Sequence, residues 1–434
     1  MLYRHLLLPA LLLLHTLTTS AQTITLMTSY PQPVVSAFQQ AFEEQHPTLQ
    51  LNVLWRMPFD ALPYLLQPQQ GGVDVYWTPS QTNYLRLKAA GALAPLKLDR
   101  TGLPDHLDQT RLRDMDDTFI ASEIAGYGLF INPQRLQQLA VAEPTSWHDL
   151  TNPRLRGTVA LPVPSAVGYA PMLIDQLLQA DGWQQGWNNW QAIAANSQLV
   201  DRRGSFVTDK VSTGQAAIGL TMDFFANATI ASGADGRFVY PQQTAFNPAH
   251  IALMTDSRRP DAARLFIRFV LSEAGQQLLF HPDIRKLPIR PSVYQQAPDN
   301  IPNPFGLALD SRYNPAKGLS RRPLTNALFD AAITHNHPAL IETSRLLHQA
   351  SQLAAPEPEN NPILQQAYAL FHRLPVTEPD ATSEILHDFQ QREHNPAADA
   401  RCQTLEQQWQ GEFARQYAAA ADLARQVIAG EATL

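Results

Sequence analysis

The chain has 434 residues, of which 44% are hydrophobic and 16% charged, with a formal net charge of -7. That length supports two or three domains whose cores need no disulfide staples, and the acidic balance excludes a nucleic-acid binder as a whole-chain reading. Lysine is scarce (Lys88, Lys97, Lys210, Lys286 and Lys317) beside 27 arginines, a bias toward side chains that grip carboxylate or phosphate with two parallel bonds.

In chain order, residues 1–21 read as a secretory leader. Arg4 gives the positive start, Leu6 to Leu14 an apolar run broken by Pro9, and Thr19, Ser20 and Ala21 the small residues of a cleavage site after Ala21. The run is shorter than the roughly 20 residues that cross a bilayer. Cys402 is the single cysteine, so neither an internal disulfide nor a cysteine metal cluster is possible. The expected location is the periplasm.

The stretch ITLMTSY at 24–30 alternates like a strand and ends in small polar residues. A helix follows Pro31, with Val34, Val35, Phe38 and Phe42 on its buried face. Strands are predicted at 49–55 and 73–77, with helices at 59–66 and 83–90. This β-α alternation predicts a mostly parallel sheet covered by helices. A strand at 124–132 leads into a second unit, with strands at 157–161 and 216–222 and a helix at 169–180. Trp183, Trp187 and Trp190 stand four and three residues apart and read as a core stripe, with a ligand-stacking wall as the alternative. Residues 237–240 return toward the first unit, 251–254 form a strand, and 260–280 hold two helical stretches. Beyond a proline-rich connection at 298–304 the chain turns helical. There Trp409, Phe413 and Tyr417 give the last helix a face to bury, against the second unit or a partner.

No Gly-rich nucleotide loop, HExxH helix or GxSxG elbow occurs. No catalytic set is identified and no cofactor is expected. Small polar residues instead recur after strands: Thr28, Ser29 and Tyr30 after the first, Thr78 and Ser80 after the third, Ser165 and Gly168 after 157–161. In open α/β sheets ligands bind beyond the carboxyl ends of strands. Helix N-termini there offer unpaired N–H groups to anions. Capping alone also selects Ser and Thr, so the weight lies in three such turns in two units. The loop DRRGSF at 201–206 adds Arg203 and Ser205, a guanidinium and a hydroxyl, unless it is only a solvated turn. Asp223 is a candidate acceptor for ligand hydroxyls, or a helix cap. Arg56 lies beyond the second strand.

Several segments resemble bacterial periplasmic solute-binding proteins of ABC transport systems, over roughly 24–295. They are the opening strand and its Ser-Tyr turn, FQQAFEEQHP at 38–47, VDVYWTPS at 73–80 and YGLFIN at 127–132. The most specific is PTSWHDLTNPRLRGTVAL at 144–161, followed by PVPSAVG at 162–168. The resemblance implies an α/β, two-lobed type II periplasmic binding fold with a C-terminal helical extension. The lobes would be 22–123 with 240–300, and 124–239, hinged near 123 and 240. The extension would be 301–434. It implies a small anionic solute, and the branch that takes hexose phosphates and phosphoglycerate is the most similar. Phosphate would then lie near Ser29 and Ser165, with Arg203, Ser205 and Asp223 reaching the rest. Ferric-iron binders of the family carry two tyrosines where Phe224 and Phe225 stand here, which disfavours iron. Iron, sulfate or dicarboxylate import stays as the alternative, and a secreted hydrolase as the rival from another class. The implied partners are an inner-membrane ABC permease or a sensor histidine kinase, with the protein a monomer.

Overall fold

The structure, a computed structural model, describes residues 22–202, 204–298, 301–308, 313–379 and 383–430. The leader and Arg203 lie outside the described residues.

The central strand of the first lobe, β1 (Gln22–Thr28), pairs in parallel with β2 (Leu49–Trp55) on one side and β3 (Val75–Thr78) on the other. Three helices, α1 (Gln32–Gln45), α2 (Pro58–Leu65) and α3 (Gln81–Ala89), connect and follow them. A proline in the first turn starts α1 and α2, where its fixed φ suits the helix and its missing N–H is not needed. Val34, Val35, Phe38 and Phe42 recur at helical spacing and are buried against the sheet core.

Short strands β4 (Leu93–Ala94), β5 (His106–Leu107) and β6 (Thr110–Arg111) precede β7 (Phe119–Ile131), which is buried along its whole length. The sequence reading began this strand five residues late, because Glu123 looks like a polar end to an apolar run. After α4 (Pro133–Leu139) come β8 (Val159–Pro162), α5 (Ala170–Asp181), α6 (Trp183–Ala195) and β9 (Ser197–Val200). The chain continues through α7 (Ser205–Ser212), β10 (Ile218–Met222), α8 (Asp223–Ala231), β11 (Arg237–Val239) and β12 (Phe246–Met254). Helices α9 (Pro260–Leu271) and α10 (Glu273–Leu278) complete the pattern.

One strand path runs β2-β1-β3-β12-β7-β10-β8-β9. Strand β7 belongs to both halves of it. Residues from Phe119 to Gly126 pair antiparallel with β12, whereas Tyr127 to Ile131 pair with β10. The crossing is tight: a Cβ on Gly126 would lie 2.4 Å from the Tyr240 ring, so only glycine fits. A β-bulge opposite Ala249 and His250 interrupts the ladder at Ser122. Bulges re-aim the neighbouring side chain, and here that neighbour is Glu123.

The three tryptophans of α6 are all core residues. They share one hydrophobic cluster with the extension, made of α11 (Pro315–Phe329), a π-turn at Asp330–Thr334, α12 (His337–Leu353), α13 (Pro362–Phe371), α14 (Glu384–Gln391) and α15 (Pro396–Ile428). Phe329, Trp409, Phe413 and Tyr417 are buried in that cluster beside Trp187 and Trp190. A large apolar side chain buried in this way contributes about 1.5–3 kcal/mol. The extension is therefore part of the second-lobe core.

Candidate functional site

The strand ends of the first lobe come together because β1 and β3 are parallel neighbours. Thr28 is in register with Trp77, so the next residues of each strand meet. Ser29 Oγ lies 2.7 Å from Thr78 Oγ1. Ser80 precedes α3 and makes no capping bond with its side chain. The Arg56 N–H donates to the Thr28 carbonyl at 3.0 Å, and its guanidinium stacks 4.2 Å above the Tyr64 ring.

In the second lobe, the turn after β8 leaves Ser165 and Gly168 exposed. Ser205 is the first residue of α7 and is also exposed, so 201–206 is partly helix rather than all loop. A Cβ on Gly204 would stand 2.5 Å from the Tyr169 ring, which brings the start of α7 against the residue after Gly168. Among the described residues no hydrogen bond or ion pair joins the Ser29–Thr78–Ser80 rim to the Ser165–Gly168–Ser205 rim.

Where the two lobes meet, Tyr30, Glu123, Lys286 and Asp223 form a buried polar cluster. The Tyr30 hydroxyl donates to Glu123 Oε1 at 2.8 Å, and the Lys286 ammonium donates to the same oxygen. Burial, then the Glu123 charge, pushes the Tyr30 phenol well above its ordinary pKa, so it stays a donor. Lys286 Nζ sits 4.9 Å from the ring centre of Tyr30 in the first lobe and 4.9 Å from that of Phe224 in the second. Asp223 Oδ2 accepts from the Gly126 N–H at 2.6 Å and the Tyr240 hydroxyl at 2.8 Å, and Oδ1 from the Phe224 N–H at 2.7 Å. Burial raises the Asp223 carboxyl to about 6, against the pull of these donors and of Lys286.

Three of the expected ligand residues are buried and already hydrogen-bonded within the protein. Thr28 is fully buried and its hydroxyl accepts from the Tyr30 N–H at 3.1 Å. Tyr30 is spent on Glu123, and Asp223 ties the strand crossing to Tyr240. Glu123, Lys286 and Tyr240 were not foreseen. The available signals were a glutamate inside an apolar strand and a lysine in a chain with few of them. Trp183, Trp187 and Trp190 lie in the core.

A two-lobed α/β body whose halves share one strand is the architecture of a solute-binding protein. Residues 80–304 match the bacterial extracellular solute-binding protein family, and the chain belongs to it. It is 30% identical to the phosphoglycerate transport regulatory protein PgtC of Salmonella typhimurium over 258 residues, 58% of this chain and 63% of that protein. The chain therefore spans less than two thirds of that relative's length. Among solved structures it is similar to the periplasmic binding protein AfuA of Actinobacillus pleuropneumoniae bound to fructose-6-phosphate, at a TM-score of 0.55 and 18% identity, covering 71% of this chain and 98% of that one. Iron-bound HitA of Pseudomonas aeruginosa gives a TM-score of 0.58 at 19% identity, covering 70% of this chain and 99% of that one. At such identities the likeness establishes the type II periplasmic binding fold. About three tenths of this chain lies outside each of these two structures.

Proposed function

We propose that this protein binds a small organophosphate, of the phosphoglycerate or hexose-phosphate kind, in the gap between its lobes and delivers that signal or cargo to the inner membrane from the periplasm. The lobes are 22–123 with 240–300, and 124–239. Closure about the β7 and β12 crossing brings Ser29 and Ser80 toward Ser165, Gly168 and Ser205, with Thr78 orienting Ser29. Arg56 supplies positive charge beyond the second strand. The closed form is read by an ABC permease or a sensor histidine kinase.

The observation that supports this reading is the 2.7 Å hydrogen bond between Ser29 and the buried Thr78, which orients the Ser29 hydroxyl close to the start of α1. The likeness to PgtC supports a phosphorylated solute. Phe224 and Phe225 stand in the first turn of α8, just after β10, with side chains that offer iron no oxygen. A thermal-shift screen of the mature protein against 3-phosphoglycerate, glucose 6-phosphate, sulfate, succinate and ferric citrate tests the reading. An organophosphate at about 100 times its Kd should stabilise by about 2.7 kcal/mol. A shift with ferric citrate alone contradicts it.

A further inference from the structure

Glu123 is 1% exposed, yet its two oxygens are used unequally. Oε1 accepts from both Tyr30 and Lys286. Oε2 is buried and has no hydrogen-bond partner. A carboxylate has acceptor sites on both oxygens, and buried acceptors are almost always paired. The bare oxygen belongs to a floor where the lobes meet, since the lysine that shares this carboxylate lies between the Tyr30 and Phe224 rings.

The charges of this floor decide what it accepts. Lys286 is matched by Glu123, and Asp223 adds a second carboxylate close enough for Lys286 to influence its titration. A second anionic group entering here would meet two carboxylates and one committed cation. A neutral donor reaching this floor on closure would meet Glu123 Oε2, a buried acceptor without a partner.

We infer that Glu123 and Lys286 form a hydroxyl-reading element in the floor of the gap: Glu123 Oε2 accepts a hydrogen bond from a hydroxyl of the bound organophosphate. Lys286 holds the carboxylate in place and leaves the phosphate to the rims. This rests on the organophosphate reading and narrows it to hydroxylated members of that class. Lys286 is a positioning residue, and Glu123 determines specificity. A site built to bond a hydroxyl discriminates strongly against an analogue that lacks it, because the analogue leaves the buried acceptor unpaired.

Calorimetry on the mature full chain tests this with two probes that share phosphate and carboxylate, 3-phosphoglycerate and its analogue without the hydroxyl, 3-phosphopropionate. The wild type should prefer 3-phosphoglycerate by tenfold or more. The paired variant Glu123→Leu with Lys286→Met removes both charges together, so neither is left buried alone. It should bind both probes within threefold of each other. Equal binding of the two probes by the wild type overturns the inference and leaves the organophosphate reading standing. A preference kept by a paired variant that melts like the wild type overturns it as well. If that variant does not fold, the wild-type ratio decides. A wild type that binds neither probe overturns it too. If glucose 6-phosphate is also unbound, the organophosphate reading itself falls.

Discussion

Arg321, on the first helix of the extension, donates from Nε to Asp175 Oδ1 on α5 at 2.5 Å, and the two side chains are only 1% and 3% exposed. The same guanidinium reaches Glu378 at 2.8 Å and stacks 5.2 Å from the Trp183 ring centre. A planar fork suits this task, since one cation serves two carboxylates and an indole face. The clamp joins the extension to the second lobe, so the two should move as one body when the gap closes.

Removing that cation leaves Asp175 buried without its counter-charge. Arg321→Met should destabilise the protein by about 3–5 kcal/mol, because an uncompensated buried charge is costly. Pairing it with Asp175→Leu should recover most of the loss. Urea unfolding of the single and double variants measures both values. A single variant within 1 kcal/mol of the wild type contradicts the clamp.

The rims should separate binding from folding. Ser165 is exposed and makes no hydrogen bond with its side chain among the described residues. Ser165→Leu should therefore change stability by no more than about 0.5 kcal/mol. It should still cost tenfold or more in affinity for 3-phosphoglycerate by filling the space of an anion. Ser29→Leu should lose binding similarly, with a larger stability cost from the broken contact to Thr78. Unchanged calorimetric affinity in both variants removes these residues from the site.

Asp223 links the strand crossing at Gly126 to pH. Its folded carboxyl is raised from 3.8 to about 6, chiefly by burial. A carboxyl that holds its proton more tightly when folded favours folding below its unfolded value of 3.8. That contribution is lost as the pH rises through 6. Relative to Asp223→Asn, the wild type should lose up to about 3 kcal/mol of unfolding free energy between pH 4 and pH 7. Urea titrations of both proteins at several pH values check the sign. A difference that does not vary with pH excludes this role.

His250 acts in the opposite sense. Burial lowers its imidazole from 6.5 to about 3, and Nδ1 has no partner. A base kept neutral by the fold contributes stability above its unfolded value, and this is lost as the pH falls from 6.5 toward 3. Its ring packs 5.3 Å from Tyr84 and 5.1 Å from Phe119, a setting that phenylalanine can fill. His250→Phe should shift the acid unfolding midpoint to lower pH, followed by circular dichroism. An unshifted midpoint would mean that other groups govern acid unfolding.

The first lobe was readable from the sequence because its helices and strands each bury one face, so Phe38 and Phe42 or Leu49 and Leu51 declare their period locally. The floor was not. Glu123 and Lys286 stand 163 residues apart, and only the fold brings them together. Asp223 was singled out correctly as a polar residue at a strand end. Which donors would occupy its oxygens depends on the Gly126 crossing, a feature without local signature. Trp409, Phe413 and Tyr417 showed that the last helix has a face to bury. What covers that face is mostly the neighbouring helices, with Phe389 against Trp409 and Phe371 against Tyr417, while Gln191 on α6 reaches the Tyr417 hydroxyl from far back in the chain.

Small-angle X-ray scattering with and without 3-phosphoglycerate tests most directly whether an organophosphate is held between two closing lobes. Saturation should lower the radius of gyration of the mature protein, and Ser29→Leu should abolish the change. Saturable binding at an unaltered radius of gyration, or no binding at all, would contradict the account.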